Sequence, residues 1–300
     1  MKGRRAVIVG AARNCAGHLP RVLENLARLA GLYAETHFIF AVSDTTDGTP
    51  DLIEAWLAAG RKGRVLDLGN LEAEVPVRSE RIARARNACL DEIRGTPVAA
   101  YDHLIVTDLD DVMATDLALE AFAAAGEWLK ASPERAGVFA NAAPRYYDIW
   151  ALRHDSWCPG DCWHPIWDRP AGETFEAAKI REVFFRQIEI PADLPPIAVR
   201  SAFGGLGLYK MPFALRGTYC GIDPRGRPVS EHVAFNRAIA EAGGKLHIFP
   251  PLMVRASPEH LYAAREFGWR WRLAMWRRRL LDARRPPWRA LLSERVAQAS

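Results

Sequence analysis

Apolar and polar positions alternate in blocks along the first ~140 residues, and each block has the period of a strand or a helix. Arg5-Ala6-Val7-Ile8-Val9-Gly10, apolar from Ala6 onward, predicts a buried strand. Pro20 to Ala30 places Val22, Leu23, Leu26 and Leu29 on one helical face. A second strand, His37 to Val42, runs into the polar turn from Ser43 to Pro50, which caps a helix from Asp51 to Ala59. Arg64–Leu68 reads as a third short strand, and Arg81–Ile93 as a helix burying Ile82, Ala85, Ala88, Cys89 and Ile93. His103–Thr107 is a fourth strand, Thr115–Lys130 another helix and Val138–Asn141 a fifth strand. This alternation predicts an α/β fold with a mostly parallel central sheet and helices on both faces.

From Ala142 onward the periods blur and Trp, Pro and Gly accumulate. Such a region supplies binding loops over a rigid sheet. We therefore expect one catalytic domain over residues 1–260. Its nucleotide-binding half covers about 1–140 and its acceptor-side half about 141–260. A basic Trp/Arg-rich helix over 261–300 follows.

Composition narrows the class. Of 300 residues, 49% are hydrophobic and 25% charged, which excludes disordered and collagen-like chains. The formal charge of +4 is unevenly spread: residues 261–300 hold ten Arg against three acids, so the rest of the chain is acidic. Five cysteines make no disulfide framework, and no apolar run reaches the ~20 residues that span a bilayer. Lys2, Arg4 and Arg5 ahead of Ala6–Ala12 imitate a signal peptide, but seven apolar residues read better as a strand. The expected location is cytoplasmic, with peripheral contact at the inner face of a membrane. That contact would run through Trp269, Leu273, Trp276 and Leu280, which share a helical face. Docking of the same helix on the domain is the competing reading. No recognition motif accompanies the basic charge, so nucleic acid is not an expected partner.

The densest chemistry is Asp108-Leu109-Asp110-Asp111, three carboxylates at the carboxyl end of a strand, where ligands of open α/β sheets bind. Clustered carboxylates repel one another until a cation neutralises them, and hard oxygen ligands suit Mn2+ or Mg2+ bridging to phosphates. Asp108 and Asp110 are the candidate metal residues. Asp111 reads equally as a helix-start acid. Asp44, after the second strand, is placed to accept hydrogen bonds from a ribose or base, while Asp47-Gly48-Thr49 reads as a cap. Arg13-Asn14 after strand one, and Arg81 and Arg86-Asn87 on the fourth-strand side, are candidate donor contacts. Gly204-Gly205 brings backbone close to sugar or acceptor, or forms a turn. Glu231 and His232 open a helix capped by Ser230. Glu231 suits a general base or an electrostatic stabiliser, and His232 a metal or diphosphate contact; helix-start charge and packing are the alternatives. His154, Cys158, Cys162 and His164 are zinc-type ligands at a spacing that matches no standard site. Asp155 and Asp161 suit sugar hydroxyls, and Trp157 and Trp163 sugar rings.

Arg13-Asn14, Ser43-Asp44, Asp47-Gly48-Thr49, Ala85-Arg86-Asn87 and then the Asp-x-Asp together resemble the GT-A glycosyltransferase superfamily. The later series is similar to the fungal capsule-associated α-1,3-mannosyltransferase family: Tyr147-Asp148-Ile149-Trp150, Arg153-His154-Asp155, Phe203–Tyr209, Pro212-Phe213 and Ser230-Glu231-His232. The resemblance covers roughly residues 4–255 as ordered short motifs. It implies a GT-A fold, a nucleoside diphosphate sugar donor such as GDP-mannose, a divalent metal, a retained anomeric configuration and a glycan or lipid-linked acceptor. It also implies catalytic roles for Glu231, His232 and Asp155. One departure stands out: where the family carries an Asn-Asp-Val-type motif, this chain has Asp108-Leu109-Asp110-Asp111-Val112, richer in acid. A nucleotidyltransferase would also use strand-end acids, but with a Gly-rich, Lys-containing loop after strand one, which Ala11-Ala12-Arg13-Asn14 is not. A non-catalytic glycan- or membrane-binding module is the remaining alternative.

Overall fold

The computed structural model describes residues 1–261, 269–284, 287–289 and 291. The rest of the basic tail lies outside the described residues. Strand and helix alternate as β1 (Arg5–Ala12), α1 (Leu19–Ala30), β2 (Glu35–Val42), α2 (Thr49–Ala58), β3 (Gly63–Asp67), α3 (Leu71–Glu74), α4 (Arg78–Arg94), β4 (His103–Thr107), α5 (Leu119–Lys130) and β5 (Arg135–Ala143). The second half adds α6 (His164–Trp167), α7 (Phe175–Glu182), β6 (Ile197–Val199), β7 (Leu206–Lys210), α8 (Met211–Ala214), α9 (Glu231–Glu241), β8 (Lys245–Arg255) and α10 (Trp269–Arg284).

All eight strands join one sheet in the order β3-β2-β1-β4-β7-β5-β8-β6. The block β3-β2-β1-β4 is parallel, as is the β5–β8 pair, while β7 runs antiparallel between β4 and β5. Alternate residues of each strand feed two cores. Ala6, Ile8, Phe38, Phe40 and Ile105 pack under α1, α2 and α5. Val7, Val9, Ile39, Leu104 and Val106 pack under α4 and α9. Burial on both faces is why β1 reads as a continuous apolar run rather than an alternating one. In α1 the buried positions Leu19, Val22, Leu23, Leu26 and Leu29 follow the helical repeat, and Leu26→Ala would cost about 2–5 kcal/mol through the cavity left behind.

Two expectations change. The helix expected over Thr115–Lys130 is α5, which begins later, at Leu119, and a one-turn 3-10 helix, Asp111–Ala114, precedes it. The Phe203–Tyr209 motif, read as a glycine turn, contains β7, a strand at the centre of the sheet. Of the tail expected to be helical over 261–300, the described residues include α10, whose Met275 packs with Ile180 and Phe184.

Candidate active site

The parallel strands β1, β2 and β4 release their carboxyl ends along one edge of the sheet, and the acids follow. Asp108 directly continues β4, and its N–H donates to the Gly205 carbonyl at 2.9 Å. Leu109 turns into the core at 2% exposure, so Asp108 and Asp110 are both left facing the cleft. Gly10 makes this possible: a Cβ there would lie 2.9 Å from the Leu109 side chain. Asp110 caps the 3-10 turn by accepting from the Val112 N–H at 3.1 Å, leaving its second oxygen for other partners.

These carboxylates border a cleft of about 500 Å3. Burial raises the carboxyl of Asp110 to about 7, with the negative charge of Asp108 adding to it. Asp108 is also raised by burial, partly offset by Arg86. Asp148 shares the same wall, raised by burial and held by the N–H groups of Gly204 at 3.0 Å and Ala151 at 3.2 Å. Three carboxylates with one arginine nearby are under-neutralised, which is the condition a divalent cation relieves. Among the described residues no group of three or more His, Cys, Asp or Glu is preassembled to hold a metal. Two carboxylates completed by water and phosphate oxygens fit Mn2+ or Mg2+, which keep waters readily.

Arg86 is more buried than its place in an arginine-rich helix implies. Its Nη2 donates to Asp108 at 3.0 Å and its Nε to Glu231 at 3.0 Å, and the guanidinium lies over the Phe203 ring at 4.9 Å. Arg86 therefore ties the end of β4 to the start of α9. Burial raises the Glu231 carboxyl, with Arg86 pulling it back down. His232 stacks on Phe203 with ring centroids 3.8 Å apart, and burial holds its imidazole well below the ordinary range, so it is neutral. Ser230 precedes α9 without a side-chain capping bond.

The nucleotide-side candidates divide. Asp44 borders the cleft with φ 53°, a left-handed conformation that Asp tolerates better than most residues. One of its oxygens accepts from the Glu72 N–H at 2.7 Å, and the other is buried without a partner in the cleft wall. Arg13 and Arg81 also border the cleft, both ion-paired to Glu72, at 2.6 and 3.1 Å. Asn14 is outside the cleft lining and braces the loop by accepting from the Thr46 N–H at 2.7 Å. Asn87 is likewise spent, exchanging two hydrogen bonds with the backbone of Tyr219.

Gly204 and Gly205, with φ of 68° and 85°, are not cleft lining but the turn behind it, holding Asp148 and Asp108 through their backbones. A Cβ on Gly204 would meet the Ala140 carbonyl at 2.8 Å. Asp155 is exposed, paired to Arg200 at 3.0 Å and outside the cleft. Asp161 is committed to Arg153 at 2.7 Å. The zinc-type set is dispersed: His154 closes a local turn against Cys158, while His164 contacts Arg227. Sequence reasoning missed Arg78, Lys179 and His260 as cleft residues, and did not single out Asp148 within its motif. The signal for Asp148 was the Tyr147–Trp150 motif; His260 follows an apolar strand, but in a stretch with no carboxylate pattern.

No family profile matches this sequence, and no curated protein matches it. Solved structures do. S. aureus TarS (residues 1–349) is 12% identical, matched over 86% of this chain and 61% of that one, with a TM-score of 0.50. GalNAc-T7, solved with UDP, GalNAc and Mn2+, is 13% identical over 86% of this chain and 44% of its own, also at 0.50. The mannosyltransferase PcManGT from Pyrobaculum calidifontis, solved with GDP-Man and Mn2+, is 15% identical over 84% and 56%, at 0.46. This chain spans less than two thirds of the length of each of these three. At such identities the likeness speaks to the fold alone: with its eight-stranded mixed sheet and flanking helices, the chain has the GT-A fold.

Proposed function

We propose that the protein is a metal-dependent glycosyltransferase that moves a hexose from a nucleoside diphosphate sugar to a glycan or lipid-linked acceptor. The observation that carries this is the pair Asp108 and Asp110, under-neutralised at the carboxyl end of β4 on the floor of the cleft. Asp110 would hold Mn2+ or Mg2+ directly, and Asp108 through water or by contact with the ribose. The metal, when bound, neutralises the leaving diphosphate. Asp44 presents an unpartnered oxygen for a ribose or base donor group. Glu231, kept in place by Arg86, is the carboxylate that accepts the acceptor proton or stabilises the developing positive charge at the sugar. The ordered motif series supports mannose and a GDP donor.

Thermal-shift titration of GDP and UDP, each with and without Mn2+, tests the reading. A ligand at 100 times its Kd stabilises by about 2.7 kcal/mol. Equal shifts with and without metal, or no shift from either nucleotide, would overturn it.

For α10 we propose peripheral contact with an anionic membrane. Leu273, Trp276 and Leu280 are exposed along the helix beside Arg277, and an exposed apolar stripe with cations suits the lipid interface. No helix among the described residues is long and apolar enough to cross a membrane. Co-sedimentation with phosphatidylglycerol vesicles, compared with Trp276→Glu, decides it: equal pelleting of the two proteins would remove the contact.

A further inference from the structure

The cleft is electrically uneven. One end holds Asp108, Asp110, Asp148 and Glu231. The other is bounded by α7 and the loops around it, and there the arginines Arg181 and Arg186 are paired. Arg181 is bound to Glu173 and Glu182, and Arg186 to Glu182, so these two acids are spent on arginines. Lys179 is the exception. It lies half-buried in the cleft lining, its ammonium 5.3 Å from the Phe184 ring and 6.0 Å from the Trp163 ring, with no carboxylate within 4.0 Å among the described residues. On the same lining, the indole N–H of Trp150 is buried without an acceptor. Trp163 offers an aromatic face, itself stacked on Trp167 at 6.1 Å.

We propose that this end of the cleft is an acceptor subsite for an anionic group, a phosphate or carboxylate, bound by the ammonium of Lys179 and the indole N–H of Trp150, with the attached sugar or chain lying on Trp163. This rests on the cleft being a site of glycosyl transfer and adds the acceptor's chemical class. Two donors and no acceptor complement an oxygen-rich anion. The carboxylates of the same cleft repel such a group, which favours an acceptor held with its charge at Lys179 and its neutral hydroxyl toward Glu231.

Calorimetric titration of the full chain tests this, using methyl mannoside as the neutral probe. Mannose 6-phosphate, glucuronate and a short-chain lysophosphatidic acid below its micelle concentration are the anionic probes. Each is titrated with GDP and Mn2+ present and again without them. At least one anionic probe should bind tenfold or more tightly than methyl mannoside. Preference for the sugar acids points to a free anionic glycan, and preference for the lipid to a lipid-linked phosphate. Lys179→Met should abolish the preference and Lys179→Arg retain it, with GDP affinity unchanged within twofold in both. No anionic preference in the unsubstituted protein, or a preference that survives Lys179→Met, overturns the subsite. Failure of GDP and UDP to bind would instead overturn the transferase reading, while the nucleotide-free titrations still score the subsite.

Discussion

The strands β3-β2-β1-β4 and the strands β7-β5-β8-β6 reach the same cleft by different routes. In the first group, chemistry sits on the residues that directly follow a strand: Arg13 after β1, Asp44 after β2, Asp108 and Asp110 after β4. Their place in the chain, one to three residues past a strand end, delivers these side chains to the edge. In the second group, the cleft residues Tyr147, Trp150, Trp163 and Lys179 lie in the long stretch between β5 and β6. Their positions come from packing and hydrogen bonds across the chain, such as the Tyr146 N–H to Ile188 carbonyl bond at 2.8 Å. Under the proposed function, the first group would hold the nucleoside diphosphate, a task shared across such folds, and the second would choose the acceptor.

This division is tested most severely at Asp110. Asp110→Asn should lower donor turnover by about a thousand-fold, the size of effect expected when charge stabilisation of a leaving group is lost. The fold should not suffer. The Asp110 carboxyl is raised by burial and by Asp108, so its contribution to stability is complete below an ordinary carboxyl pKa and is lost as pH rises through about 7. Asp110→Asn should accordingly melt at the same or higher temperature at pH 7.5, with the difference vanishing near pH 4. An active Asp110→Asn, or one that fails to fold, would break the assignment.

A smaller effect is expected where the two groups meet. Glu231→Gln should reduce transfer by roughly 100-fold and leave nucleotide binding nearly unchanged, because Arg86 keeps its bond to Asp108. Normal turnover with a lowered melting temperature would make Glu231 a strut for Arg86 and remove it from the chemistry. Smallest is a property of the first group alone. His103, at the start of β4, is buried and bonded to the Tyr33 hydroxyl at 3.0 Å, and burial with the nearby Arg4 lowers its imidazole to about 4. Its folded pKa is depressed, so the stability it confers is present above its ordinary value of 6.5 and is lost as pH falls from there toward 4. The slope is at most about 1.4 kcal/mol per pH unit. Urea melts of the protein and of His103→Gln at pH 7 and pH 5 would show that slope disappearing in the variant; a slope unchanged by the substitution would place the acid sensitivity elsewhere.

What could be read in advance follows the same line. Strand-end acids and the helix periods of α1 and α4 are local signals: the periods predict the α/β sheet, the ordered motifs carry the likeness to the GT-A fold, and the strand-end positions of Asp108, Asp110 and Asp44 put them on the cleft lining. Arg86 was recognised as important, but its burial between Asp108 and Glu231 depends on α9, 145 positions away along the chain. Asn14, Asn87, Gly204 and Gly205 carry residue types suited to ligands and spend them on backbone. Asp155 stands in a promising motif yet points to solvent, since nothing local records which side of a loop faces the cleft. β7 escaped notice because Gly207 interrupts a five-residue run that a strand pattern needs whole.

The place of β7 also dictates the order in which the molecule can be made. β4 ends at Thr107 and pairs early with β1, but its other neighbour, β7, begins at Leu206, so roughly a hundred residues must leave the ribosome before the two can pair, a closure that is costly and slow. Until then β4 is an open edge of exposed amide groups, a template for unwanted pairing between nascent chains. The Gly205 carbonyl that receives the Asp108 N–H arrives at the same moment, so a partly synthesised chain carries the acids without the brace that sets them. The brace on Asp108 is thus timed to the late stages of translation, and crowding of β4 edges is where misassembly during synthesis would start.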